Sequence, residues 1–131
     1  MTSLVCWLVM FFISFELSVK RRLEDVYMEV SKKDWKLFRA CIGEWQEAYM
    51  DRLTKEYIDS LSGDENASDK FWKLEERIKK DKKHPGVMLE LSKENMIFDI
   101  VALINRDVIT VVDLKDFSDE LKEYVNYLLH R

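Results

Sequence analysis

From residue 32 onward, apolar side chains recur every three or four positions: Trp35, Phe38, Ile42, Trp45, Tyr49 and Leu53, with Tyr57 and Leu61 continuing the stripe under slight drift. That spacing marks one face of an α-helix. It predicts a helix over residues 32–62, roughly 45 Å long at about 1.5 Å per residue. A globule of about 110 residues is roughly 35 Å across, so the helix is expected to bend, protrude or pair. Gly43 is its weak point: it either kinks the helix or lets a neighbour approach closely.

The flanking pattern extends the reading. Leu23, Val26, Tyr27 and Val30 predict a short helix over residues 20–30, and Ser31 with Asp34 has the form of a capping box that opens the long helix. The stretch GDENAS (63–68) is turn chemistry, with Ser68 as N-cap of a third helix whose Phe71, Trp72, Leu74 and Ile78 should face inward. Lys79, Lys80, Lys82 and Lys83 suit the C-terminal end of that helix, and His84, Pro85 and Gly86 stop it. Residues 87–91 (VMLEL) alternate like a strand, but a lone strand leaves its backbone unpaired, so they read as an extended connector.

Ser92 is expected to cap the next helix, in which residues 96–104 are apolar everywhere except Asp99; this is the predicted central core helix. Thr110 with Asp113 predicts a short helix, and Ser118 caps a last one carrying Leu121, Val125 and Leu128. The expected fold class is therefore all-α: a compact bundle of about six helices with one long amphipathic helix, preceded by an apolar N-terminal segment.

Composition agrees with that class. Three Gly and one Pro in 131 residues are too few for the hairpin turns of a sheet protein. Apolar residues at 47% are enough for a core, and the length suits one domain, expected over residues 19–131. A net charge of −4 draws the protein toward neither nucleic acid nor an anionic membrane. Two cysteines, Cys6 and Cys41, offer no disulfide framework, and Cys41 is expected to be a small buried hydrophobe.

Residues 4–15 (LVCWLVMFFISF) differ from the rest. They are followed by Glu16 and by the basic Lys20, Arg21 and Arg22. A secretory signal would place its basic residues first and end at a small-residue cleavage site, and a spanning helix needs about 20 apolar residues. Residues 1–18 are expected to be an extension or a weak anchor, and membrane attachment is expected only through them. Trailing basic residues keep the main domain in the cytoplasm in either case.

Candidate chemistry is sparse. His84 and His130 have no HxxxH, CxxC or ExxH context, so no metal or other cofactor is expected. Asp99, alone in an apolar run, is expected to face water or to pair with a base such as Arg106. An EF-hand reading of the segment around Ile109 fails, because its ligand positions fall on Ala102, Ile104 and Arg106. A helix-turn-helix reading of the C-terminal helices meets the wrong charge: residues 87–131 carry nine acids against five Lys and Arg.

From KRRLEDVYMEVSKKDWKLFRACIGEWQEAYM, through KFWKLEERIKKDKKHPGV, to VITVVDLKDFSDELKE, the chain resembles a group of short bacterial proteins of unknown function. The likeness covers roughly residues 20–131. It implies a start near the KRR block, with residues 1–18 as an addition, and it carries no catalytic residue over. Some members bear an automatic label of multidrug transporter. One short apolar stretch contradicts that, since a translocation path takes several spanning helices.

The expected function is a non-enzymatic cytoplasmic protein-interaction or regulatory module that binds another protein or a second copy of itself. Its candidate surface is the aromatic set Trp35, Trp45, Tyr49 and Tyr57 on the long helix. The alternatives are nucleic-acid binding through the basic patch Lys79, Lys80, Lys82, Lys83 and His84 or through the C-terminal helices, and membrane anchoring through the leader.

Overall fold

The computed structural model describes residues 28–131. The leader, Cys6 and most of the helix expected over residues 20–30 lie outside the described residues; the three that are described, Met28 to Val30, are not helical. The described residues are 67% helix with no strand, so the protein is all-α. The order is α1 (Lys32–Leu61), α2 (Ala67–Asp81), α3 (Met96–Asn105), a 3-10 turn (Val111–Leu114) and α4 (Asp119–Leu129).

Ser31 opens α1 by accepting a hydrogen bond from the Asp34 N–H at 3.1 Å. The other half of the expected capping box takes a different partner. The Asp34 carboxylate, buried to 2% exposure, accepts from the Ser118 N–H at 3.0 Å and from the Ser118 hydroxyl at 2.5 Å. Ser118 in turn caps α4, its Oγ accepting from the Leu121 N–H at 3.2 Å. One carboxylate therefore ties the first turn of α1 to the first turn of α4, where the exposed N–H groups and the helix dipole favour a negative charge.

The core forms where the two strongest apolar patterns meet. Phe38 and Ile42 of α1 pack with Met96, Ile97, Ile100 and Leu103 of α3, with Leu114 and Phe117, and with Leu121 and Val125 of α4. Rings continue the contact as a chain: Trp35 to Phe38 at 6.1 Å, Phe38 to Trp45 at 6.1 Å and Trp45 to Phe117 at 6.2 Å between centroids. As the pattern predicts, α3 is the central helix of the described residues.

α3 ends in a left-handed turn. Asp107 has φ 61°, the Asp107 N–H donates to the Ile104 carbonyl at 3.2 Å, and the Val108 N–H donates to the Leu103 carbonyl at 2.9 Å. This is a Schellman cap with aspartate in the place that glycine usually fills. Two expected caps shift. α2 starts at Ala67 with Asn66 before it, rather than after Ser68, and Ser92 closes a turn by accepting from the Asn95 N–H at 3.2 Å while α3 starts at Met96.

The long helix is continuous through Gly43, and a Cβ placed there would meet nothing within 4 Å, so Gly43 faces open space rather than a neighbouring helix. Past Tyr49, α1 leaves the core: Leu53 is its one further buried residue, and it is not part of the main cluster. Of the three outcomes open to so long a helix, α1 protrudes, with α2 folded back along it as an antiparallel hairpin.

Candidate functional site

The projecting hairpin holds together through polar and aromatic contacts at its base and along one edge. At the base, the Tyr49 ring stacks on His84 at 4.4 Å and 5°. Gly86 lies so close that an added Cβ would sit 2.4 Å from Tyr49 Cδ1, which requires glycine there. The Gly86 N–H donates to His84 Nδ1 at 3.0 Å, and Gln46 Nε2 donates to the Pro85 carbonyl at 3.1 Å. The turn that ends α2 is thereby fastened to α1. Burial and the nearby Arg106 lower the His84 pKa against an opposing pull from Asp81, so the neutral ring is favoured.

Halfway along, the Tyr57 hydroxyl donates to Asp81 Oδ2 at 2.5 Å. Burial, followed by that hydrogen bond and the charge of Asp81, pushes the Tyr57 pKa up to about 12. Arg77 lies over the Tyr57 ring, 5.2 Å from its centroid, and bridges Glu56 and Asp81. Near the tip, Lys73 pairs with Glu65 at 2.5 Å. Glu56, Arg77, Lys73 and Glu65 thus line one polar edge of the hairpin.

The opposite edge is apolar and uncovered. Each residue turns a helix by about 100°, so with Tyr57 and Asp81 facing each other and Glu56 and Arg77 on one side, Leu61, Ile58 and Phe71 fall on the other. Ile58 is 62% exposed, Leu61 41%, Phe71 63% and Trp72 61%. The Trp72 ring meets Phe71 edge to face at 5.0 Å and 88°, so the two exposed rings form one contiguous apolar cluster. No side chain of α2 is buried.

This reverses part of the sequence reading. Phe71 and Trp72 were expected inward and are outward; Leu74 and Ile78, expected with them, are half-buried against α1. Conversely, the candidate surface Trp35, Trp45, Tyr49 and Tyr57 is turned inward. The first three pack on the core, and Tyr57 is held under Arg77 and against Asp81. Their exposed sides are roofed as well, with Arg39 over Trp35 at 5.2 Å and Arg52 over Tyr49 at 5.4 Å. A signal for this was present in the sequence: Phe71 and Trp72 are adjacent and so about 100° apart on a helix, which keeps both from sitting at the centre of one buried face.

The basic patch is also divided. Lys79 pairs with Glu75 at 3.0 Å, and Lys80, Lys82 and Lys83 are exposed at the end of α2, where they complement its dipole. His84 turns away from them onto Tyr49. Cys41 is half-buried rather than buried, and burial together with Glu44 and Asp116 pushes its thiol pKa up, away from the reactive thiolate. Asp99 neither faces water fully nor pairs with Arg106: its Oδ2 is buried without a hydrogen-bond partner among the described residues, and burial raises its pKa to about 6.

A cleft of about 620 Å³ opens between α1 and the α3 cap, lined in part by Trp45, Arg52, Asp107 and Asp113. Two of its polar groups are tied to the fold: the Arg52 guanidinium donates to the Asp107 backbone carbonyl at 2.5 Å, and the Asp113 carboxylate accepts from the Thr110 N–H at 2.8 Å. Among the described residues no three His, Cys, Asp or Glu side chains gather as a metal site would require. No helix among them is long and apolar enough to cross a membrane. Compared with protein-family models, curated proteins and solved structures, the chain matches none.

Proposed function

We propose that the protein is a cytoplasmic, non-enzymatic interaction module whose working surface is the apolar edge of the α1–α2 hairpin. The observation that carries this reading is the exposure of Phe71 and Trp72, at 63% and 61%, on a helix with no buried side chain. A clustered apolar patch on a projecting element marks an interaction site more often than a scattered exposed residue does. The non-enzymatic part rests on the sequence, in which no base, nucleophile or metal-ligand motif with oriented partners assembles. The cytoplasmic part rests on Lys20, Arg21 and Arg22 following the apolar leader.

The test is capture from the native host, with mass spectrometry, using the full chain, its Phe71→Glu/Trp72→Glu variant and a variant with Lys79, Lys80, Lys82 and Lys83 changed to Glu. The reading expects proteins held by the wild type and by the lysine variant and lost from the Phe71/Trp72 variant. A captured set that ignores Phe71 and Trp72 contradicts it. A set that vanishes with the lysine changes or with nuclease treatment replaces it with nucleic-acid binding.

A further inference from the structure

We propose that the occupant of the hairpin's apolar edge is a second copy of this chain, so that two hairpins dock edge to edge and form a four-helix bundle about a two-fold axis. The inference rests on the reading of this edge as an interaction surface and adds the identity of the partner.

Area is the first argument. Ile58, Leu61, Phe71 and Trp72 are 62%, 41%, 63% and 61% exposed. At roughly 200 Å² for a large apolar side chain in the open, they present roughly 450 Å² of apolar surface. A standard interface buries about 800 Å² on each partner, of which about 60% is apolar, or roughly 480 Å². One edge therefore supplies what one side of a stable dimer needs. The half-buried Leu74 and Ile78, lying between the two helices, would form the floor of the contact.

Charge is the second. A two-fold interface sets each patch against itself, so any net charge at its rim would repel its own copy. The rim here is neutralised within each chain: Lys55 pairs with Asp51 at 2.8 Å on α1, and Lys79 pairs with Glu75 at 3.0 Å on α2. The unbalanced lysines, Lys80, Lys82 and Lys83, lie at the base end of α2, away from Phe71 and Trp72. The edge thus meets the requirement for self-pairing, whereas a charged partner would find no complementary field.

Helix stability is the third. A helix of 15 residues that buries no side chain is marginal by itself, since short helices in water draw their stability from packing. Docking a second hairpin adds to the half-buried Leu74 and Ile78 the cover that Phe71 and Trp72 lack, in the antiparallel geometry that helical hairpins adopt in bundles.

The experiment is light scattering during size exclusion of the full chain over a concentration series to about 100 μM, a range that spans micromolar association, alongside Ile58→Glu/Phe71→Glu. The wild type is expected at twice 15.7 kDa and the variant at 15.7 kDa, with helical circular dichroism retained because both residues are exposed. If the charged pair loses its helical signal, Phe71→Ala/Trp72→Ala takes its place, and it is expected to weaken the dimer at least tenfold. A wild type that stays monomeric throughout overturns the inference and leaves the edge to another occupant, including residues 4–15 of the chain. A dimer of unchanged strength in either variant also overturns it, because the contact then lies elsewhere. Neither result bears on host partners lost with Phe71 and Trp72, so the broader reading stands or falls separately.

Discussion

Removing the Asp34 carboxylate should cost more than any other single polar change in the described residues. The perturbation is Asp34→Ala, which deletes an acceptor that is 2% exposed and takes two hydrogen bonds from Ser118, at 3.0 and 2.5 Å. Hydrogen bonds to a charged group are worth about 1.5–3 kcal/mol each, and the two share one donor residue, so their losses do not simply add. About 3 kcal/mol is the expected total, including the Ser118 N–H left unpaired. Asp34→Asn keeps one acceptor oxygen and should cost about half as much. For a domain of this size each kcal/mol moves Tm by about 4 °C, so the expected falls are about 12 °C and 6 °C. Thermal unfolding followed by circular dichroism measures both. A double-mutant cycle with Ser118→Ala should return a coupling of more than about 1 kcal/mol. An Asp34→Ala protein within about 1 kcal/mol of wild type, or a cycle with no coupling, would refute the tether between the starts of α1 and α4.

Asp107→Gly should stabilise the protein by about 0.5–1 kcal/mol in chemical denaturation, because φ 61° is strained for an L side chain and the Arg52 contact is to the backbone carbonyl, which glycine keeps; a loss of stability would mean the Asp107 side chain has a role of its own. Gly86→Ala should destabilise by about 1–3 kcal/mol in the same assay, since its Cβ would sit 2.4 Å from the Tyr49 ring; an unchanged midpoint would show that Tyr49 moves aside freely. Asp99→Asn should raise Tm at pH 8 and lose that advantage on acidification. The raised pKa of about 6, against 3.8 for the free group, means that the folded state prefers the protonated acid. The wild type therefore gives up stability as pH rises from about 4 to about 6, and carries the full penalty above that window. A Tm difference independent of pH would contradict the burial of that carboxyl.

What could be read from the sequence was whatever local spacing encodes. The stripe from Trp35 to Leu53 and the apolar run around Ile100 gave α1 and α3, and Ser31 and Ser118 cap their helices as expected. The Asp34 reading failed because a capping box is inferred from a partner three residues away, whereas its carboxylate bonds to Ser118, 84 residues on. Asp99 is a milder case of the same limit: its place in an apolar run was plain, but the depth of its burial depends on packing. The hairpin edge was misread for a different reason. Amphipathic spacing says that a face will be covered, without saying by which chain. The apolar spacing of α2 predicts Phe71 and Trp72 inward, but α1 covers only Leu74 and Ile78, while the stripe predicted as a surface, Trp35, Trp45, Tyr49 and Tyr57, is taken up by the fold.

Hydroxyl-radical labelling of the full chain, read residue by residue at two concentrations, tests the outward edge most directly. In dilute solution Phe71 and Trp72 should label heavily while Phe38, at 0% exposure, stays protected. At high concentration labelling of Phe71 and Trp72 should fall, with Phe38 unchanged. Phe71 and Trp72 as protected as Phe38 when dilute would contradict the account, because the edge of the hairpin would then not be a surface at all.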